Sequence, residues 1–124
     1  MSRILMVDDD REFLAASKVV LELKGHDVFL VYDVKAAEKD ISNENFDLIF
    51  LDIMMEEADD GIALAARLKK KGIKTPIVML SGVSKVTGYE YGKCSEVLPC
   101  TDFLEKPISP QQLINKVDKL IKNK

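Results

Sequence analysis

The chain predicts an α/β domain in which a parallel five-stranded sheet carries helices on both faces. Three observations carry this expectation. Short aliphatic runs alternate with longer amphipathic segments from one end of the chain to the other. Those runs are apolar throughout, as in strands covered on both faces. No repeat, linker or low-complexity stretch interrupts the 124 residues, an ordinary length for one domain. Such alternation brings parallel strands together through crossover helices. Five units of this kind predict a three-layer, doubly wound sheet in the order 2-1-3-4-5 over residues 1–124.

Ile4-Leu5-Met6-Val7, closed by Asp8, predicts the first strand. Phe13, Leu14, Val20, Leu21 and Leu23 then recur at near-helical spacing, and Gly25 stops that helix. Val28 to Val31 predicts the second strand. Ala36, Ala37 and Ile41 mark a short, weak helix fraying into Ser42-Asn43. Leu48-Ile49-Phe50-Leu51 is a third apolar run, ended by Asp52.

A helix rich in strong formers follows, with Ile62, Ala63, Leu64, Ala66 and Leu68, and it ends at Gly72. Pro76 to Leu80 predicts the fourth strand, with proline tolerated at its first position. A fourth helix would have to lie between Gly82 and Cys100, where Gly88, Gly92 and Pro99 argue for a short helix or an irregular loop. Asp102 to Glu105 predicts the fifth strand. Ser109, Pro110 and Gln112 supply a cap, a first helical residue and a capping box for the last helix. Leu113, Ile114, Val117, Leu120 and Ile121 give that helix its apolar face.

Composition narrows the function. Hydrophobic residues make up 47% and charged residues 31%, so the chain reads as globular and not disordered. A net charge of -3 gives no electrostatic case for nucleic acid or an anionic membrane. Lys69-Lys70-Lys71 and the tail from Lys116 to Lys124 read as solvated last turns of helices. Cys94 and Cys100 are too few for a disulfide framework, and no signal peptide or membrane span is visible. These features predict a cytoplasmic protein.

In an open parallel sheet, ligands bind beyond the carboxyl ends of the strands, where the strand order reverses. Strands 1 and 3 flank that crevice and end at Asp8-Asp9-Asp10 and at Asp52. Strand 4 ends at Ser81, and strand 5 leads into Lys106. Carboxylates, a hydroxyl and an ammonium scattered in sequence therefore gather at one edge. Carboxylates so close call for a cation, and hard oxygen ligands suit Mg²⁺. An aspartate can act as nucleophile toward phosphorus, with the metal, Lys106 and Ser81 stabilising the transferring group.

The pieces Ile4 to Asp10, Leu48 to Met55, Met79 to Gly82 and Asp102 to Pro107 together resemble the response-regulator receiver family. The resemblance covers essentially the whole chain and implies a flavodoxin-like, chemotaxis-receiver-like fold. It implies that Asp52 is the phosphoacceptor. Asp9 would ligate Mg²⁺ directly, Asp8 directly or through water, and Met54 through its backbone carbonyl. Asp10 falls outside the acidic pair, as a surface or capping residue. Ser81 and Lys106 would contact the phosphoryl group, Gly82 would keep access open, and Phe103 would occupy the aromatic switch position. Pro107 falls where the family usually has a cis peptide.

The same resemblance implies phosphoryl transfer from a histidine kinase or phosphotransfer protein, with the receiver assisting its own phosphorylation and dephosphorylation. The output face would combine the fourth helix, fifth strand and fifth helix; with no effector domain after Lys124, the expected output is through a separate downstream protein. Either a monomer or a phosphorylation-dependent dimer is compatible. Departures from the family pattern are Glu56 in place of proline, a longer stretch from Glu57 to Gly61, and Cys100-Thr101 before the Asp102-Phe103 pair. Two alternatives stay open here. One is a receiver-like binding module that works without phosphorylation. The other is a haloacid-dehalogenase-like phosphatase with Asp8 as nucleophile and Asp10 as acid/base.

Overall fold

A computed structural model describes residues 2–52, 60–81 and 101–121, with Asp60 and Ser81 described by their backbone alone. Met54, Gly82, Cys94, Cys100, the expected fourth helix, most of the Glu56 to Gly61 loop and the last three residues lie outside the described residues. Within them the elements run β1 (Arg3–Val7), α1 (Arg11–Leu23), β2 (Asp27–Val31), α2 (Val34–Asn43), β3 (Leu48–Asp52), α3 (Asp60–Lys70), β4 (Ile77–Ser81), β5 (Asp102–Glu105) and α4 (Pro110–Ile121). The strands form one parallel sheet in the order β2-β1-β3-β4-β5.

Uniformly apolar strands acquire a physical meaning once the two faces are separated. Leu5, Val7, Ile49, Leu51, Ile77 and Met79 point one way, into a core shared with Ala37 and Ile41 of α2 and Leu64 and Leu68 of α3. Ile4, Met6, Leu48, Phe50, Val78 and Leu80 point the other way, against Leu14 and Leu21 of α1 and Leu113 and Val117 of α4. Every residue of β3 is buried, whereas the edge strands β2 and β5 are only partly so. Burying one such aliphatic side chain contributes roughly 1.5–3 kcal/mol, so both layers are held mainly by these faces.

Helix ends follow local chemistry. Asp10 caps α1, its carboxylate accepting from the Phe13 N–H at 3.1 Å. The box expected at the last helix forms in both directions. Gln112 N–H donates to Ser109 Oγ at 3.1 Å, and Ser109 N–H donates to Gln112 Oε1 at 2.9 Å. Gly25 and Gly72 take φ of 91° and 83°, which ordinary side chains rarely adopt. Each closes its helix with paired bonds, Gly25 to Glu22 with His26 to Leu21, and Gly72 to Lys69 with Ile73 to Leu68.

Three expectations need correction. Leu23 is not on the apolar stripe of α1: it is 82% exposed, because it sits two residues, or about 200° of helix rotation, beyond fully buried Leu21. Helix α2 is a full element over Val34–Asn43, started by an Asp33 cap that accepts from Ala36 N–H at 2.7 Å. Lys116 is not a solvated tail residue. Its ammonium is 2.9 Å from the Asp102 carboxylate across to β5.

Candidate functional site

Register builds the site. Val7 is paired with Leu51, so Asp8, one residue on, comes to lie beside Asp52 at the end of β3. Asp52 pairs with Leu80, which places the backbone of Ser81 next along the edge. Ser81 in turn pairs with Glu105, and Lys106 follows immediately. The four strand ends therefore meet at one edge, as the order 2-1-3-4-5 requires.

Asp8 is fully buried and Asp52 nearly so, while Asp9 is exposed. One carboxylate oxygen from each lies within 4.8 Å of the others. At an effective dielectric near 20, each pair of charges at such a separation repels by roughly 3–4 kcal/mol. Part of this is offset by Lys106, whose Nζ is 2.5 Å from Asp8 Oδ2 and 3.9 Å from Asp52 Oδ2. Among the described residues, three carboxylates converge here with one ammonium close by. The donors are all oxygen and they converge, which fits a hard divalent cation such as Mg²⁺.

The flanking residues divide clearly. Asp10 belongs to the helix cap, and its own N–H donates to Asp8 Oδ1 at 2.9 Å. With its carboxylate so engaged, Asp10 has the capping role expected of it and does not favour the phosphatase alternative. Phe103 is half-buried in the core on the α2–α3 side, paired with Met79 in register. The Lys106–Pro107 peptide is cis, as the resemblance led us to expect. His26 lies in the α1–β2 turn, far along the sheet from these groups, at the opposite ends of the strands.

Two ring contacts at this edge were not legible in the sequence. Lys106 Nζ stands 4.9 Å from the centroid of the Phe13 ring, and the Arg11 guanidinium lies 4.0 Å over the Tyr32 ring. Spacing assigned Phe13 only to the apolar stripe of α1. Its place in the first turn after the aspartates was the one available signal.

The described residues contain no helix long and apolar enough to cross a membrane. In sequence, the chain is similar to the transcriptional regulatory protein CpxR of Escherichia coli (strain K12), with 32% identity over 98% of this chain and 50% of the relative. It is also 32% identical to the alkaline phosphatase synthesis transcriptional regulatory protein PhoP of Bacillus subtilis (strain 168), over 97% of this chain and 48% of that protein. The chain thus spans about half the length of the curated relatives it matches. Among solved structures, the receiver domain of the Francisella response regulator 1452 superposes with a TM-score of 0.84 at 33% identity, covering 99% of this chain and 98% of that one. The receiver domain of NtrX from Brucella abortus gives a TM-score of 0.82 at 27% identity, covering 98% and 99%. Residues 4–118 match the family model described as the response regulator receiver domain, and with the sheet order and acidic edge already in place, the chain belongs to that family.

Proposed function

We propose that Asp52 accepts the phosphoryl group that receiver domains take up, and that residues 1–124 act as one signalling domain and not as a turnover enzyme. The observation that carries this is the oxygen cluster of Asp8, Asp9 and Asp52, with the Lys106 ammonium 3.9 Å from Asp52. Asp8, Asp9, Asp52 and the Met54 carbonyl would hold Mg²⁺. A bound Mg²⁺ supplies positive charge against the oxygens of the transferring group.

The chain's own residues supply the rest. A carboxylate oxygen of Asp52 forms the new bond to phosphorus, while the bond from phosphorus to the donor's histidine nitrogen breaks. The electron pair stays on that nitrogen. Lys106, now bonded to Asp8, moves toward a phosphoryl oxygen on Asp52 and offsets its charge. Ser81 donates its hydroxyl to another phosphoryl oxygen, and Gly82 leaves the approach open. Hydrolysis reverses the attachment: water attacks phosphorus and Asp52 leaves as carboxylate. In this sense the receiver assists both reactions.

The donor is a cytoplasmic histidine kinase or phosphotransfer protein, and the output passes to a downstream effector. The switch runs through Ser81, Lys106 and Phe103 to the face that includes β5 and α4. It requires different contact energies in the two states, which a phosphoryl group bonded to Ser81 and Lys106 provides. The phosphorylated chain is a monomer or a dimer, and sedimentation with a phosphoryl mimic separates the two.

The test is intact mass after incubation with acetyl phosphate and Mg²⁺, comparing wild type with Asp52→Ala. One added phosphoryl group in wild type alone supports the proposal. A folded wild type that gains nothing points instead to a module that works without phosphorylation.

A further inference from the structure

We infer that Phe13 is a positioning residue for the phosphoryl site, its ring face holding the Lys106 ammonium at the acidic edge. This rests on the role given to Lys106 above. The ammonium is bounded on three sides, by the buried Asp8 carboxylate at 2.5 Å, the Asp52 carboxylate at 3.9 Å and the Phe13 ring centroid at 4.9 Å. Only 19% of the Lys106 side chain is exposed, so the cation has given up much of its water. A ring face attracts a cation through its quadrupole, and the attraction grows with desolvation.

The chemistry of the ring suits a movable lysine. A fourth carboxylate here would hold Lys106 more tightly, but it would add negative charge to a cluster already rich in it. A neutral ring orients the ammonium without adding charge. It also leaves Lys106 able to exchange Asp8 for a phosphoryl oxygen.

Phe13 is itself held in place. Its N–H donates to Asp10 Oδ1 at 3.1 Å, and its carbonyl accepts from the Ser17 hydroxyl at 2.8 Å. Asp10 N–H donates in turn to Asp8 Oδ1 at 2.9 Å. The contacts close a circuit from Asp8 through Asp10 and Phe13 to Lys106 and back to Asp8. Phe13 is half-buried, and it also lines a groove with Ile108 and Pro110, two and four residues after the lysine. The first turn of α1 and the β5–α4 connection therefore meet at this ring.

Two measurements test the assignment. In wild type, the ring current should displace the Lys106 ε-methylene NMR resonance upfield. Phe13→Leu should return it to the ordinary position, and Phe13→Tyr, which keeps a ring, should preserve the displacement. Phosphorylation by acetyl phosphate in Mg²⁺ should slow by about three- to tenfold in Phe13→Leu and stay near wild type in Phe13→Tyr. In a Lys106→Met background, Phe13→Leu should have no further effect.

A wild-type Lys106 resonance at the ordinary position overturns the assignment, and it needs no variant to fold. So does a folded Phe13→Leu protein that reacts at the wild-type rate. A wild type that gains no phosphoryl group defeats the reading of Asp52 instead, and the resonance still decides whether Phe13 holds Lys106.

Discussion

Glu38 and Asp102 each stand between two cations, whereas the carboxylates at the sheet's carboxyl edge stand three to one ammonium among the described residues. Glu38 on α2 meets Arg67 at 3.2 Å and Lys71 at 3.0 Å, tying α2 to α3 and its end. Asp102 meets Lys116 at 2.9 Å and Lys119 at 3.3 Å, tying β5 to α4. The bonds from Arg67 and then Lys71 hold the Glu38 carboxyl below its ordinary range. At Asp102 partial burial pushes the carboxyl up, but the Lys116 bond and the Phe103 N–H outweigh it and leave it lowered. The helix clamps are thus completed within the fold. At the edge the described residues bring three carboxylates together instead, a donor set of the kind that suits a hard cation.

The largest effect on that contrast should come from Lys106→Met. It removes the ammonium paired with fully buried Asp8. Stability without divalent cation should fall by about 3 kcal/mol, measured by denaturant unfolding in EDTA. Asp52→Asn should move stability the other way, by about 1–3 kcal/mol, because it relieves repulsion with the Asp8 and Asp9 carboxylates. Mg²⁺ at ten times its Kd should stabilise wild type by about 1.4 kcal/mol and Asp52→Asn by much less.

The smallest effect belongs to a clamp. Asp102→Asn should cost about 1 kcal/mol at pH 7. Because folding lowers the pKa of Asp102, its contribution is present above the unfolded value and is lost as pH falls through the folded one. The gap between wild type and Asp102→Asn, followed by urea unfolding, should therefore begin to narrow below about pH 4 and vanish only at lower pH. A gap that persists in acid would mean that Asp102 acts by packing and not by charge.

Most of this architecture could be read from the chain because each signal was local. Apolar runs stopping at Asp8 and Asp52, glycines after α1 and α3, and the Ser109–Gln112 box are events within a few residues. Strand order then carried four distant strand ends to one edge. What escaped depended on partners far away in sequence. Lys116 looked like tail because Asp102 is not its neighbour along the chain, and Phe13 looked like core because nothing local links it to Lys106. Leu23 departs for a simpler reason: about 200° around the helix from Leu21, its apolar side chain lies off the buried stripe. The Asp33 cap was local and readable, and it would have strengthened α2.

Lys106 and Asp8 are separated by 98 residues, and their strands are not neighbours, since β3 and β4 lie between β1 and β5. Bringing such distant groups together costs loop-closure entropy that only the intervening strand pairings offset. A partly folded chain still contains Asp52, yet it has no Lys106 beside Asp8 to complete the edge. The proposed chemistry at this edge therefore depends on the whole sheet being assembled and not on any one local segment.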